Sequence, residues 1–163
     1  MIFRPSILVL VLIWLTACGF QLRGSNLQAL QDSQVYVRSN GAGNLAGAVK
    51  EQLQKAGIDT VNSATDAQYI INLEHESFRR SILSVDSTTG KVEEYELTYQ
   101  ANLSISDSNG ETILQPESVT AVRDYTFDEG SVLANFTEEG VLRRDIAKHA
   151  AASVLRRLQA VTQ

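Results

Sequence analysis

Few residues in this chain have a type and spacing that could do chemistry. The single cysteine, Cys18, closes an apolar run and could serve as a nucleophile, a packed thiol or a point of covalent attachment. Glu74 and Glu76 lie two residues apart, and on one strand face they could pair as general acid and base. His75 and His149 fall in separate segments. Neither has a second histidine or a cysteine at ligand spacing, so no zinc site is expected. The stretch GAGNLAG, Gly41 to Gly47, follows a strand pattern and opens a helix, with Asp59 downstream as in a dinucleotide-binding loop. Its spacing is G-x-G-x-x-x-G rather than G-x-G-x-x-G, and no second strand–helix–strand unit follows. A flexible loop feeding a helix is the better reading. A solvated strand face accounts for Glu74 and Glu76 without catalysis, so neither an enzymatic activity nor a cofactor is expected.

The residues in front of Cys18 choose among its three roles. Arg4 precedes an apolar run from Ile7 to Leu15, and small residues follow, which is the layout of a secretory signal peptide. The run is too short to span a bilayer, which needs about 20 apolar residues. Leu15-Thr16-Ala17-Cys18 has the form of a bacterial lipobox, in which a diacylglyceryl group is attached through sulfur before cleavage in front of the cysteine. Cys18 is therefore read as a lipid-attachment residue. Gly19 at the next position, where aspartate would favour retention in the inner membrane, points to the outer membrane. Residues 1–17 form the signal peptide, 18–34 the lipidated N-terminus and tether, and 35–163 a single domain. With one cysteine, no internal disulfide can form. The chain carries 14 Lys and Arg against 19 Asp and Glu, a net charge of −5, which does not favour a nucleic-acid partner.

These residues need elements to position them. Val35 to Arg38 reads as a short strand, ended by a glycine-containing loop. From Asn44 the apolar residues Leu45, Val49, Leu53 and Ala56 repeat with helical period, and Gly57 sits where a helix-ending glycine is expected. Strand-like segments follow from Ala67 to Val85, then turn chemistry in Asp86 to Lys91. The clearest strand places Tyr95, Leu97, Tyr99, Ala101, Leu103 and Ile105 on one face and Glu94, Glu96, Thr98, Gln100 and Asn102 on the other. Asn109-Gly110 marks a hairpin, and Pro116 a break or edge position in the returning strand. A last helix is predicted from about Glu138 to Gln159, capped by Asn135 or Thr137, with Leu142, Ile146, Ala150, Val154 and Leu158 as its apolar stripe. The expected fold is α+β: two helices packed on one face of a mostly antiparallel sheet of three or four strands. Arg79, Arg80 and Lys91 could approach a common edge, where phosphate groups would bind through charge-assisted hydrogen bonds.

The stretch LTACGFQLRG resembles the start of the LptE (RlpB) family of LPS-assembly lipoproteins, in which the lipobox cysteine is followed by glycine, an aromatic, a polar residue and Leu-Arg. Here these are Gly19, Phe20, Gln21, Leu22 and Arg23. TTGKVEEYELTYQANLSI and EQLQKAGI are similar to the family's central hairpin and first helix. The resemblance implies a lipid-anchored plug inside the outer-membrane β-barrel LptD, the pair delivering lipopolysaccharide to the cell surface. It also implies lipopolysaccharide contact through basic residues before the central strand and before the last helix. Lys91 is the best single candidate, with Arg79 and Arg80 beside it, whereas the second loop offers only Asn135. The alternative is a free-standing outer-membrane lipoprotein on the periplasmic side that binds a small ligand or a cell-wall component.

Overall fold

β-Branched and aromatic residues in alternation, punctuated by turn residues, build a five-stranded sheet in the computed structural model. Residues 30–127, 130 and 132–162 are described. The elements run β1 (Gln34–Asn40), α1 (Gly43–Lys55), β2 (Asp59–Thr60), a short 3-10 turn (Ala64–Asp66), β3 (Tyr69–Val85), β4 (Val92–Asp107), β5 (Thr112–Thr126) and α2 (Val132–Val161). The sheet order is β2-β1-β3-β4-β5. Cys18 and the segment 18–29 lie outside the described residues. From Leu30 on the chain belongs to the core, because Leu30 is fully buried.

Two features of the expected sheet need correction. It has five strands rather than three or four, and it is mixed: β1 runs parallel to both β2 and β3, while β3–β4 and β4–β5 are antiparallel. The parallel part arises because α1 forms a crossover that returns the chain in the direction of β1. β2 is only two residues long, too short to show alternation. A further correction concerns α2, which begins at Val132 rather than near Glu138. Asn135 and Thr137 are thus inside the helix instead of capping it.

Local chemistry explains the remaining boundaries. α1 ends in a Schellman arrangement: Gly57 has φ +74°, its N–H donates to the Gln54 carbonyl, and the Ile58 N–H donates to the Leu53 carbonyl. Ile58 is then buried against the helix it closes. Asp86 accepts from the backbone of Thr88 and Thr89 in the β3–β4 turn, and Asp107 accepts from Asn109 and Glu111 in the next. Pro116 sits on the edge strand β5, where the register against β4 shifts, as a residue without an N–H requires.

Both helices cover the same sheet face. Leu97, Tyr99, Ala101, Leu103 and Ile105 of β4 are buried there against Leu45, Val49 and Leu53 of α1 and Ile146, Ala150, Val154 and Leu158 of α2. On the opposite face Asn72, Thr98, Gln100, Asn102, Ser104 and Ser118 form an uncovered surface of amides and hydroxyls. The alternation read along residues 95–105 corresponds to this division.

Candidate functional site

The alternation of β3 changes phase midway, and the site follows from that change. Up to Leu73 its odd residues face the core. The pairing with β4 then skips, Glu74 opposing Asn102 and Ser77 opposing Gln100. One extra residue is accommodated by a bulge with His75 at φ +53°. Beyond it the even residues Phe78, Arg80 and Ile82 lie on the helix side, opposite Tyr99, Leu97 and Tyr95.

The bulge separates the two carboxylates, correcting the expectation that they share a face. Glu74 stays on the outer face, with its Oε2 3.8 Å from His75 Nδ1. Glu76 turns to the N-terminus of α1. Its Oε2 accepts from the Leu45 N–H at 3.0 Å, Oε1 accepts from the Asn44 side-chain amide, and its own N–H donates to the Gly41 carbonyl. No side chain from within α1 caps the helix, so Glu76 supplies the missing acceptor and a negative charge at the positive helix end. The glycine-rich loop that resembles a phosphate cradle is thus occupied by the protein's own carboxylate. Tyr99 is buried beside it. Burial, and then the charge of Glu76, push its phenol far above the usual tyrosine range.

A second cluster forms where the far half of the β3–β4 hairpin meets α2. Glu139, with a side chain only 13% exposed, accepts from Arg80 at 3.1 Å, from Arg143 at 3.0 and 2.7 Å, and from the Tyr125 hydroxyl at 3.3 Å. The Arg80 guanidinium lies 4.6 Å from the Tyr95 ring centroid and that of Arg143 4.9 Å from Phe78. Tyr95 contacts Tyr125 and meets Phe127 edge-on. One acid and two guanidiniums leave a net positive charge, framed by aromatic faces. Such an arrangement suits an anionic amphiphile: the donors not turned to Glu139 can reach phosphate oxygens, and the rings offer apolar contact.

Burial pushes the Glu139 carboxyl up, but the hydrogen bond and charge of Arg143, together with the charge of Arg80, outweigh it. The group is held below the ordinary glutamate range. A depressed folded-state pKa stabilises the fold above the unfolded value and is lost as pH falls through the folded one. Acidification through and below the ordinary glutamate range is therefore expected to loosen the contact between α2 and the hairpin. Thermal unfolding between pH 7 and 3 checks this, because Glu139→Gln should show a flatter acid limb than the parent. An identical acid limb in the variant would count against it.

Of the basic residues expected to converge, Arg80 joins this cluster. Arg79 projects from the opposite face, and Lys91 stands beside Val92, which pairs with Val85 five positions along β3 from Arg80. The structure does not bring the three together. His149 meets Arg123 of β5 side chain to side chain. Among the described residues no group of histidine, cysteine or acidic side chains is arranged to hold a metal. Glu139, Arg143, Tyr125 and Phe127 were not legible as a site beforehand. The (i, i+4) spacing of Glu139 and Arg143 was their one signal, and it is common on solvated helices.

Comparison with known proteins agrees with this architecture. The profile of the LptE family, described as Lipopolysaccharide-assembly, matches residues 33–158. The LPS-assembly lipoprotein LptE of Pectobacterium atrosepticum is 32% identical over 157 residues, spanning 93% of this chain and 82% of the relative. The crystal structure of rare lipoprotein B from Shewanella oneidensis is similar with a TM-score of 0.66 at 29% identity, covering 78% of this chain and 94% of that one. The solution structure of lipoprotein B from Nitrosomonas europaea gives 0.70 at 25% identity, with 88% and 92% covered.

Proposed function

The chain belongs to the LptE family of lipopolysaccharide-assembly proteins, and from that premise we propose that it is an outer-membrane lipoprotein, anchored through Cys18 on the periplasmic side, that assembles with and plugs an LptD-type β-barrel. Its role is in assembly and transport rather than catalysis. The observation that carries the reading is the match to the LptE family over residues 33–158. The uncovered sheet face is compatible with it: polar side chains that a free-standing two-layer domain would turn to solvent can equally present hydrogen-bonding groups to the polar wall of a water-lined lumen.

Lipopolysaccharide itself is the second proposed contact. Arg80 with Arg143 and the flanking rings is matched to a phosphorylated lipid head. Lys91 at the hairpin turn extends the same end of the molecule, and Arg79 opens on the other face. The test is affinity purification of a C-terminally tagged protein from detergent-solubilised outer membrane, with its companions identified by mass spectrometry. An LptD-type barrel in equal amount, retained through a high-salt wash, is the expected result. Recovery of the lipoprotein alone would replace this reading with a free-standing lipoprotein that binds a small ligand or a cell-wall component.

A further inference from the structure

The edges of the sheet are treated unequally. β5, at one edge, carries Pro116, a register shift and the acids Glu117 and Asp124, features that discourage another strand from pairing. β3 is an inner strand only as far as Glu74, where β1 ends at Asn40. The Gly41 carbonyl takes one more bond, from the Glu76 N–H. From Ser77 onward, among the described residues, the backbone of β3 is laddered to β4 alone.

That free edge is regular over six residues, and its far end, from Ile82, is apolar and exposed. Ser77 to Ile82 pair with Gln100 to Tyr95 in constant register, and Leu83 then bulges out. Ile82, Leu83 and Val85 are 58, 49 and 50% exposed, three of the five large exposed hydrophobic side chains among the described residues. No acid or proline occurs from Ser77 to Val85. Arg79 adds a positive charge on the outer face, while Arg80 is already paired with Glu139.

We propose that this edge, Ser77 to Leu83, receives an extended segment of the barrel partner as an added strand, with an acidic residue beside Arg79 and apolar side chains against Ile82 and Leu83. The inference rests on the barrel reading above. A closed barrel pairs its own wall strands throughout, so the segment is a loop turned into the lumen. The register does not extend past Leu83, where the bulge bends the strand.

Hydrogen exchange of the backbone amides of Ser77–Leu83 tests it, measured on the lipoprotein alone and on the lipoprotein purified with its barrel. Alternate amides, those facing away from β4, are expected to slow by at least about tenfold in the complex. Arg79→Glu is expected to hasten dissociation about fivefold and Arg79→Lys to restore most of it. Unchanged exchange in an intact complex would overturn the added strand while leaving the plug in place. Slowing in the lipoprotein alone that grows with its concentration would assign the edge to a second copy, and so overturn it as well. Failure of any barrel to co-purify removes the plug reading and this inference together.

Discussion

Replacing Glu76 with alanine is expected to destabilise the domain by about 2–3 kcal/mol. The Leu45 N–H, an orphan donor of the α1 N-terminus, and the Asn44 side-chain amide lose a charged acceptor, and charge-assisted bonds contribute about 1.5–3 kcal/mol against about 1 kcal/mol for a simple cap. The Leu45 N–H is part-buried, so water replaces the carboxylate only in part. The melting temperature should fall by about 6–10 °C for a domain of this size. Glu76→Gln keeps one acceptor oxygen but puts an NH2 where the second accepted, and it loses the charge facing the helix end, so its cost should lie below that of alanine, at about 1–2 kcal/mol. Denaturant unfolding distinguishes them through the midpoint at unchanged slope. An alanine variant as stable as the parent would mean that the glycine loop holds α1 without Glu76.

The other large effect is expected at Cys18. Thioether attachment of a diacylglyceryl group needs sulfur, so Cys18→Ala, and equally Cys18→Ser, should abolish fatty-acid labelling and leave the apolar leader uncleaved. Anchoring by several acyl chains is far stronger than by one, since each buried CH2 contributes about 0.8 kcal/mol. The described residues include no helix long and apolar enough to cross a membrane. Palmitate labelling followed by membrane fractionation checks both points. Labelling that persists in the alanine variant would move the attachment site elsewhere and undo the assignment.

How much of this was legible in the sequence varied by element. Strand β4 is legible because it lies mid-sheet with one covered face, so its burial alternates from Leu97 to Ile105 without interruption. α1 was equally clear, since Gly57 ends it by a local backbone device. β3 was not, because the bulge at His75 and Glu76 reverses the parity of its faces, and a period-2 reading sums the two halves to noise. For the same reason Glu74 and Glu76 appeared to share a face, whereas Arg79 and Arg80, as neighbours on a strand, point to opposite faces with or without the bulge. The parallel pairing of β1 with β3 is a long-range choice that no local pattern encodes. The Glu139 cluster joins residues from β3, β4, β5 and α2, brought together only by the packing of the final helix on the hairpin.

The single inserted residue in β3 also governs how relatives of this chain should be aligned. A gap placed at His75 or Glu76 keeps the columns beyond it in phase, because Ser77 opposes Gln100 whether or not the extra residue is present. Left out, or placed further along β3, the same gap sets Phe78 and Arg80 against residues of the open face. A column-by-column comparison of charges beyond the bulge would then pair residues that point in opposite directions.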